Sequence, residues 1–385
     1  LVGIGLISYS AYLWHQPLFA FARIRSLHAP GAWTMTLLLA AAFVLAYVTW
    51  RYVEKPFRNR ANLSRLQIFS GAAAVGASLA AIGMAGIAAK GFENRMPAAS
   101  LAELDVIDYH EARIEGACNV ASGFRPPEEA CVLGDSTAAP RIAIWGDSHA
   151  EMQSEALGGA LARIGKSALQ LTADACLPFT GVRTAGLSAN VDCIRQTAAV
   201  KEFLLERGDI GTVVLAPRWT AYLVKQKFDN GEGGAFDDRM YGEPVASFDG
   251  DAGRRKGIVA AINQGVQELL NAGKRVVLVY PVPEVGWPVP EMAAKQIFLT
   301  GEPAADISTD YGVQKKRNAP ATAMLDALGD HPNIVRVRPD RILCDTFIKG
   351  RCAAHLDGVP LYYDSQHLTN AGARFIADAI AKKLR

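Results

Sequence analysis

No cysteine occurs before residue 118, no two cysteines are spaced Cys-x-x-Cys, and no histidine cluster accompanies them. A zinc site, which needs closely spaced thiolates and imidazoles, is therefore not expected. Surplus charge is also lacking: 40 Lys and Arg face 38 Asp and Glu, for a net charge of +2. Nor is there a basic stripe interleaved with aromatics, so nucleic acid is not an expected partner. The first apolar run has no initiating Met, basic leader or small-residue cleavage site ahead of it, so it does not read as a signal peptide. Opening at Leu1-Val2-Gly3, inside that run, it reads as part of something longer.

What is present divides along the chain. At 385 residues, two or three folding units are expected. Half the residues are hydrophobic, mean hydropathy is +0.11, and the surplus lies near the N-terminus. Three apolar stretches, 2–21, 33–50 and 66–89, each approach the roughly 20 residues that a membrane-spanning helix needs. The first is interrupted by Ser8, Ser10, His15 and Gln16; the third is rich in Gly and Ala and predicts close packing against neighbouring helices. Between the second and third lie five basic residues, Arg51, Lys55, Arg58, Arg60 and Arg65, which put that loop in the cytoplasm. Everything after about residue 91 then emerges on the far side.

The cysteines point to the same compartment. Cys118, Cys131, Cys176, Cys193, Cys344 and Cys352 are spaced as three local pairs, 118–131, 176–193 and 344–352, although sequence alone leaves other connectivities and free thiols open. An even count in short-range pairs fits disulfides formed in an oxidising compartment.

From residue 141 short apolar runs alternate with amphipathic stretches. Strands are expected at 142–145, 168–172, 212–216, 275–280 and 333–337, and helices at 150–164, 195–207, 253–272, 308–328 and 369–384. Such alternation predicts an α/β fold with a doubly wound parallel sheet whose site lies at the carboxyl ends of the strands. Residues 91–140 read as a linker and an extension packed on this domain, and 228–251 as a long surface insertion.

Two motifs carry chemistry. Gly146-Asp147-Ser148-His149 follows an apolar run and precedes a helix, which places Ser148 on a strand-to-helix turn facing backbone N–H groups. Asp364-Ser365-Gln366-His367 supplies a carboxylate and an imidazole three residues apart. A serine hydroxyl needs a base, and the base needs an orienting partner; Ser148, His367 and Asp364 supply all three. Each motif also has a plain alternative, Asp147 and Asp364 acting as turn or helix caps.

On these residues the C-terminal domain resembles the SGNH hydrolase superfamily, supported by Cys176-Leu177-Pro178 and Tyr362-Tyr363-Asp364. The N-terminal part resembles the tail of an acyltransferase-3 membrane protein, through residues 7–17 and Val53-Glu54-Lys55-Pro56-Phe57-Arg58. The resemblance implies a flavodoxin-like three-layer sandwich and a bacterial cell-surface polysaccharide O-acetyltransferase. It implies two spans of an acyltransferase-3 module with a cytoplasmic basic loop (1–65), an additional span (66–90), a periplasmic linker (91–140) and an SGNH-type acyl-transfer domain (141–385). It further implies a multi-pass inner-membrane protein whose acceptor is a polysaccharide. No bound cofactor is implied; acetyl-CoA is the ultimate acyl donor, delivered through spans absent from this chain. His15 does not correspond to that family's catalytic histidine and is expected to be a packed, hydrogen-bonded residue.

Superfamily members offer a Gly and an Asn as oxyanion donors from two middle blocks. Here the corresponding stretch is Leu215-Ala216-Pro217-Arg218-Trp219, with no Gly-x-Asn-Asp. The Ser148 N–H is the expected oxyanion donor. Arg218 is a candidate replacement, with pairing to an acid at the sheet edge as its alternative. Trp219, and with it Trp287, are candidates for contacting a sugar, with burial in the core as theirs. Gly146 and Asp147 are expected to shape the nucleophile turn. The expected activity is O-acyl transfer through an acyl-Ser148; removal of acetyl by water, and a non-catalytic glycan-presenting domain, are the alternatives.

Overall fold

The computed structural model describes residues 2–27, 30–58, 64–114, 118–186, 191–236 and 240–385. Leu1 and, in the basic loop, Asn59 and Arg60 lie outside the described residues. The chain divides into two compact units, 1–101 with 295–302, and 102–294 with 303–385.

The first unit is helical: α1 (Val2–Ile24), α2 (Ala32–Thr49), continued by a π-turn at Trp50–Glu54, and α3 (Arg65–Ala88). Two stretches are long and apolar enough to cross a membrane, Ala32–Phe57 and Arg65–Ala88, where the sequence predicts three. The polar residues of α1 account for the difference, and they find partners. Ser10 donates to Glu54, and the Trp14 indole N–H donates to Thr49 Oγ1 at 2.8 Å. His15 donates to the Tyr12 carbonyl at 2.7 Å, a hydrogen-bonded helix residue as expected. The close packing expected of α3 is not observed: none of its residues is buried, and its glycines meet nothing within 4 Å.

The second unit is built on a six-stranded sheet: β1 (Cys131–Gly134), β2 (Ile142–Gly146), β3 (Ser167–Thr172), β4 (Thr212–Leu215), β5 (Arg275–Val279) and β6 (Ile334–Val337), in the order β1-β3-β2-β4-β5-β6. All neighbours are parallel except β1, which lies antiparallel on β3. The parallel strands are apolar without interruption because both faces are covered. Ile142, Ile144, Val214, Val277 and Val279 point to one core, while Ala143, Trp145, Val213, Leu215, Val276 and Leu278 point to the other. After helix α4 (Ala98–Ile114), the flanking helices are α5 (Ser148–Ala162), α6 (Cys193–Glu206), α7 (Gly250–Asn271), α8 (Tyr311–Asp326) and α9 (Asn370–Leu384). α5 and α9 fill the first core, the latter with Ile376, Ile380 and Leu384 at one-turn spacing; α6, α7 and α8 fill the second.

The strand order reverses between β2 and β4, from which the chain moves outward in both directions. In a doubly wound sheet that reversal opens a crevice at the carboxyl ends of the two strands. Ser148 follows β2, and Arg218 follows β4.

Three elements differ from expectation. Residues 131–134, within the stretch read as linker and extension, form the edge strand of the sheet. Residues 307–310 extend as a strand paired with Arg351–Leu356, and Asp310 then caps α8 through the Val313 N–H at 2.9 Å. The 228–251 insertion contributes core: Phe228 and Met240 are buried, and Tyr241–Pro244 pairs with Val182–Ala185. The disulfides are Cys118–Cys131, Cys176–Cys193 and Cys344–Cys352, the three local pairs of the sequence.

Candidate active site

The turn between β2 and α5 is tight enough to require Gly146. A Cβ there would lie 2.7 Å from the Ala150 Cβ and 3.2 Å from the Pro217 backbone nitrogen. Asp147 is the N-cap of α5, accepting the His149 N–H at 2.9 Å. It also accepts the Arg218 N–H at 3.0 Å and the Tyr222 hydroxyl at 2.8 Å. One buried carboxylate thus ties the end of β2 to the segment after β4. Burial pushes the Asp147 pKa up, opposed by those three donors.

Ser148 is the first residue of α5, and its Oγ lies 2.9 Å from His367 Nε2. His367 Nδ1 lies 2.7 Å from Asp364 Oδ2. The other Asp364 oxygen accepts the backbone N–H groups of Gln366 and His367, each at 2.7 Å, which curls the loop so that the imidazole faces its own orienting carboxylate. The Ser365 carbonyl accepts the Val285 N–H at 2.8 Å and fixes the loop to the segment after β5. Tyr363 stacks on the His367 ring, with centroids 5.3 Å apart and planes 7° apart.

Electrostatics favour a base. Burial pulls the His367 pKa down, but the Asp364 charge and hydrogen bond outweigh it and hold the pKa above the ordinary imidazole value. Asp364 is held below the ordinary carboxylate value, because its bonds to His367 and the two N–H groups outweigh burial. With Asp364 ionised, the tautomer carrying hydrogen on Nδ1 leaves Nε2 as a lone-pair acceptor toward Ser148. That arrangement can remove a proton from the hydroxyl.

Arg218 and Trp219 come to the crevice differently from one another. The Arg218 guanidinium is paired with Glu284, at 3.0 Å from Nε and 2.6 Å from Nη2. Pairing with an acid, the alternative raised for this residue, is what is found. Glu284 also takes Arg317 Nε at 2.7 Å, and the two arginines overcome burial to keep its pKa low. The site retains positive potential from Arg218, which acts on His367 and His149. Trp219 as a sugar contact is corrected: it has no exposed surface, and its indole N–H donates to the Val279 carbonyl at 2.7 Å. Its neighbours on β5 and α7 are apolar, so this ring is core. Trp287 is half-buried and packs on the backbone of Gly233 and Gly234, which leaves no room for a Cβ at Gly234.

Two features escaped sequence reasoning. His149 is 2% exposed with its ring 4.9 Å from that of His367, and burial holds it well below the ordinary pKa, hence neutral. Its place directly after Ser148 was the available signal. Asp174, beyond β3, accepts from Asn119 Nδ2 at 2.7 Å and lies near enough to His367 for their charges to interact. Nothing local in the sequence marks that pair. Among the described residues no group of three or more His, Cys, Asp or Glu is placed to hold a metal ion.

Comparison with known proteins adds a lineage to this geometry. The family described as SGNH domain (fused to AT3 domains) matches residues 117–382. The peptidoglycan O-acetyltransferase OatA of Listeria monocytogenes is 31% identical over 67 residues, 17% of this chain and 11% of that protein. The chain therefore matches about a tenth of that relative's length. The periplasmic domain of the lipopolysaccharide acetyltransferase of Salmonella ser. Paratyphi A aligns with a TM-score of 0.49 at 15% identity, covering 73% of this chain and 96% of that domain. A putative acylhydrolase from Bacteroides fragilis aligns at 0.34 and 13% identity, covering 67% and 94%.

Proposed function

The chain belongs to the family of SGNH domains fused to AT3 domains, and from that membership we propose that it transfers an O-acyl group, acetyl in the first instance, to hydroxyls of a cell-surface or exported polysaccharide. The observation that carries the proposal is the continuous line of contacts from Ser148 Oγ through the His367 ring to Asp364, at 2.9 and 2.7 Å. His367 Nε2 takes the Ser148 proton as Oγ attacks the acyl carbonyl, and Asp364 stabilises the imidazolium that forms. Collapse of the tetrahedral intermediate expels the donor's leaving group, which takes that proton, and leaves acyl-Ser148. A sugar hydroxyl then gives its proton to His367, attacks the acyl carbon and departs as the ester, while Oγ regains the proton.

The oxyanion forms at the N-terminus of α5, where the Ser148 N–H and the helix dipole favour negative charge. Arg218 contributes through its field, with Glu284 holding its fork. In acyl-transfer enzymes a single lost donor raises the barrier by about 2.7–4 kcal/mol, so this field is the compensation proposed for the missing Asn.

The same reading covers the N-terminal unit. We propose that α1 crosses the membrane with α2 and α3, with Ser10 bonded to Glu54 and Trp14 to Thr49. The basic loop then faces the cytoplasm, and the disulfide-bearing domain faces the periplasm of a bacterial inner membrane. The parsing into 1–65, 66–90, 91–140 and 141–385 belongs to this proposal. Acetyl-CoA is its ultimate acyl source, handed on by a membrane module of the kind to which this family is fused.

The test uses the full chain in detergent, wild type and Ser148→Ala, with 4-nitrophenyl acetate and neutral oligosaccharides, followed by mass spectrometry. Acetyl on Ser148 that moves to sugar only in wild type is the expected result. Acetyl released only to water would make the protein an esterase. No acylation of Ser148 would leave a glycan-presenting domain and overturn the proposal.

A further inference from the structure

His149 stands one residue beyond Ser148 and takes no part in the line of contacts from Ser148 through His367 to Asp364. Its backbone is fixed at both ends. The N–H donates to Asp147 at 2.9 Å, and the carbonyl accepts Gln153 Nε2 at 2.7 Å. The side chain is almost wholly buried, its ring centroid 4.9 Å from that of His367 and the planes tilted by 54°. The His367 imidazole thus meets two rings, Tyr363 stacked at 7° and His149 tilted.

The loop that carries His367 is held through its backbone. The Ser365 carbonyl accepts the Val285 N–H at 2.8 Å, and the Leu368 N–H reaches Met152 Sδ at 3.0 Å. One side-chain atom of this loop is left over: Gln366 Oε1 is buried and has no hydrogen-bond partner among the described residues. His149 Nε2 is buried and unpartnered in the same way. The first is an acceptor without a donor, and the second is a donor when the neutral ring carries its hydrogen on Nε2. Burial and the His367 charge hold His149 well below the ordinary imidazole pKa, hence neutral, while the Gln366 side chain works the other way as a hydrogen-bonding neighbour. Neutrality suits the place, because a second cation would oppose the imidazolium that forms on His367. Two buried groups left unpaired are costly, and one bond between them removes both costs. Catalytic contacts of this kind commonly tighten when substrate binds.

We propose that His149 is a positioning residue: its Nε2–H bonds to Gln366 Oε1 as the acyl group enters, and that bond locks the His367 imidazole against Ser148 Oγ. The two links run between the same two segments, Ser148 to His367 and His149 to Gln366, each one residue from the other. A single tie leaves a hinge; two neighbouring ties fix an angle. The role rests on the Ser148 acyl-enzyme reading above and adds what keeps the base aimed at the nucleophile.

Single-turnover acylation of Ser148 by 4-nitrophenyl acetate is followed on the full chain in detergent, for wild type, His149→Phe, Gln366→Met and the double variant. Each single variant should acylate about tenfold more slowly at saturating ester, the scale of one net hydrogen bond, with the half-saturating concentration unchanged. The double variant should be no slower than either, because both substitutions remove the same bond. His149→Gln, which keeps a side-chain donor, should recover most of the rate. Melting midpoints confirm folding, and Gln366→Met, at a half-buried loop side chain, decides if His149→Phe is unstable. Nitrogen-15 NMR of the imidazole rings gives a readout independent of chemistry. The His149 signal, assigned by its loss in His149→Gln, should report a neutral ring at pH 7 with hydrogen on Nε2. The role is overturned by single variants within about twofold of the wild-type rate, or by losses that multiply in the double variant. Hydrogen on Nδ1 of His149 overturns it equally. A wild type that never acylates Ser148 removes the acyl-enzyme and this role together, and it is told apart from the other failures because there the wild type acylates.

Discussion

The Arg218 guanidinium lies 2.6 Å from Glu284, with both side chains almost entirely withdrawn from solvent and the guanidinium charge acting on His367. Glu284 also holds Arg317, so one buried carboxylate serves two guanidinium groups. Substituting Glu284→Gln removes the buried carboxylate that the two arginines share. Removing one partner of a buried ion pair typically costs about 3–5 kcal/mol, so a lower melting midpoint is expected. A second readout separates field from structure. His367 is faced by Asp364, Asp147, Asp174 and Arg218, and extra positive field from Arg218 lowers its pKa. The acid limb of the kcat/KM profile should move to lower pH; a purely structural role for Glu284 would leave that midpoint in place.

The wild-type profile has a definite sign. His367 works as a base only when neutral, and its pKa lies above the ordinary 6.5. Hydrolysis of 4-nitrophenyl acetate should therefore rise with pH through a midpoint above 6.5 and fall away below it. Asp364→Asn removes the carboxylate that raises this pKa, so the midpoint should drop. By analogy with triads in which this carboxylate is replaced by its amide, kcat should fall about 10⁴-fold. A midpoint unchanged by Asp364→Asn would remove Asp364 from the mechanism.

Gly146→Ala tests the turn. Its methyl would meet the Ala150 Cβ at 2.7 Å and the Pro217 nitrogen at 3.2 Å, neither of which can swing away. Overpacking of this kind costs about 1–3 kcal/mol, and the displaced turn carries Ser148 with it. Activity should fall by more than the fraction unfolded, as measured by circular dichroism and single-turnover acylation side by side.

The Cys176–Cys193 bond closes a loop of sequence separation 17 and packs with Val120, Ala173 and Val191 in a small separate core. In the chain-entropy account such a crosslink is worth about 3 kcal/mol. For a domain of this size, Cys176→Ala with Cys193→Ala should lower the melting midpoint by about 6–12 °C. An unchanged midpoint would place the stabilisation elsewhere.

The parallel strands were legible because burial on both faces writes itself as unbroken apolar runs, as in Ile142-Ala143-Ile144-Trp145. The contacts from Ser148 to His367 and from His367 to Asp364 were legible because these residues sit in two compact motifs. Glu284 was not: a single acid after β5 becomes meaningful only when α8 brings Arg317 to it from 33 residues away. Trp219 misled because an aromatic at a strand end can face crevice or core, and only the packing of β5 and α7 decides. The edge strand at 131–134 was hidden because four residues seated beside β3 need no long apolar run. The strand at 307–310 was absorbed into the helix that follows it, since Asp310 marks the boundary by a cap visible only in three dimensions.

The Cys118–Cys131 bond has a mechanical consequence. Tension applied to the chain ahead of residue 118 can pass through the sulfur bridge straight into β1, which is held along its length by β3. Residues 119–130 then form a slack loop outside the line of force. That loop bonds Asn119 to Asp174 at 2.7 Å and Val120 to Thr172 at 3.0 Å, on the approach to His367. A pull arriving at Cys118 therefore bypasses the loop that makes those contacts.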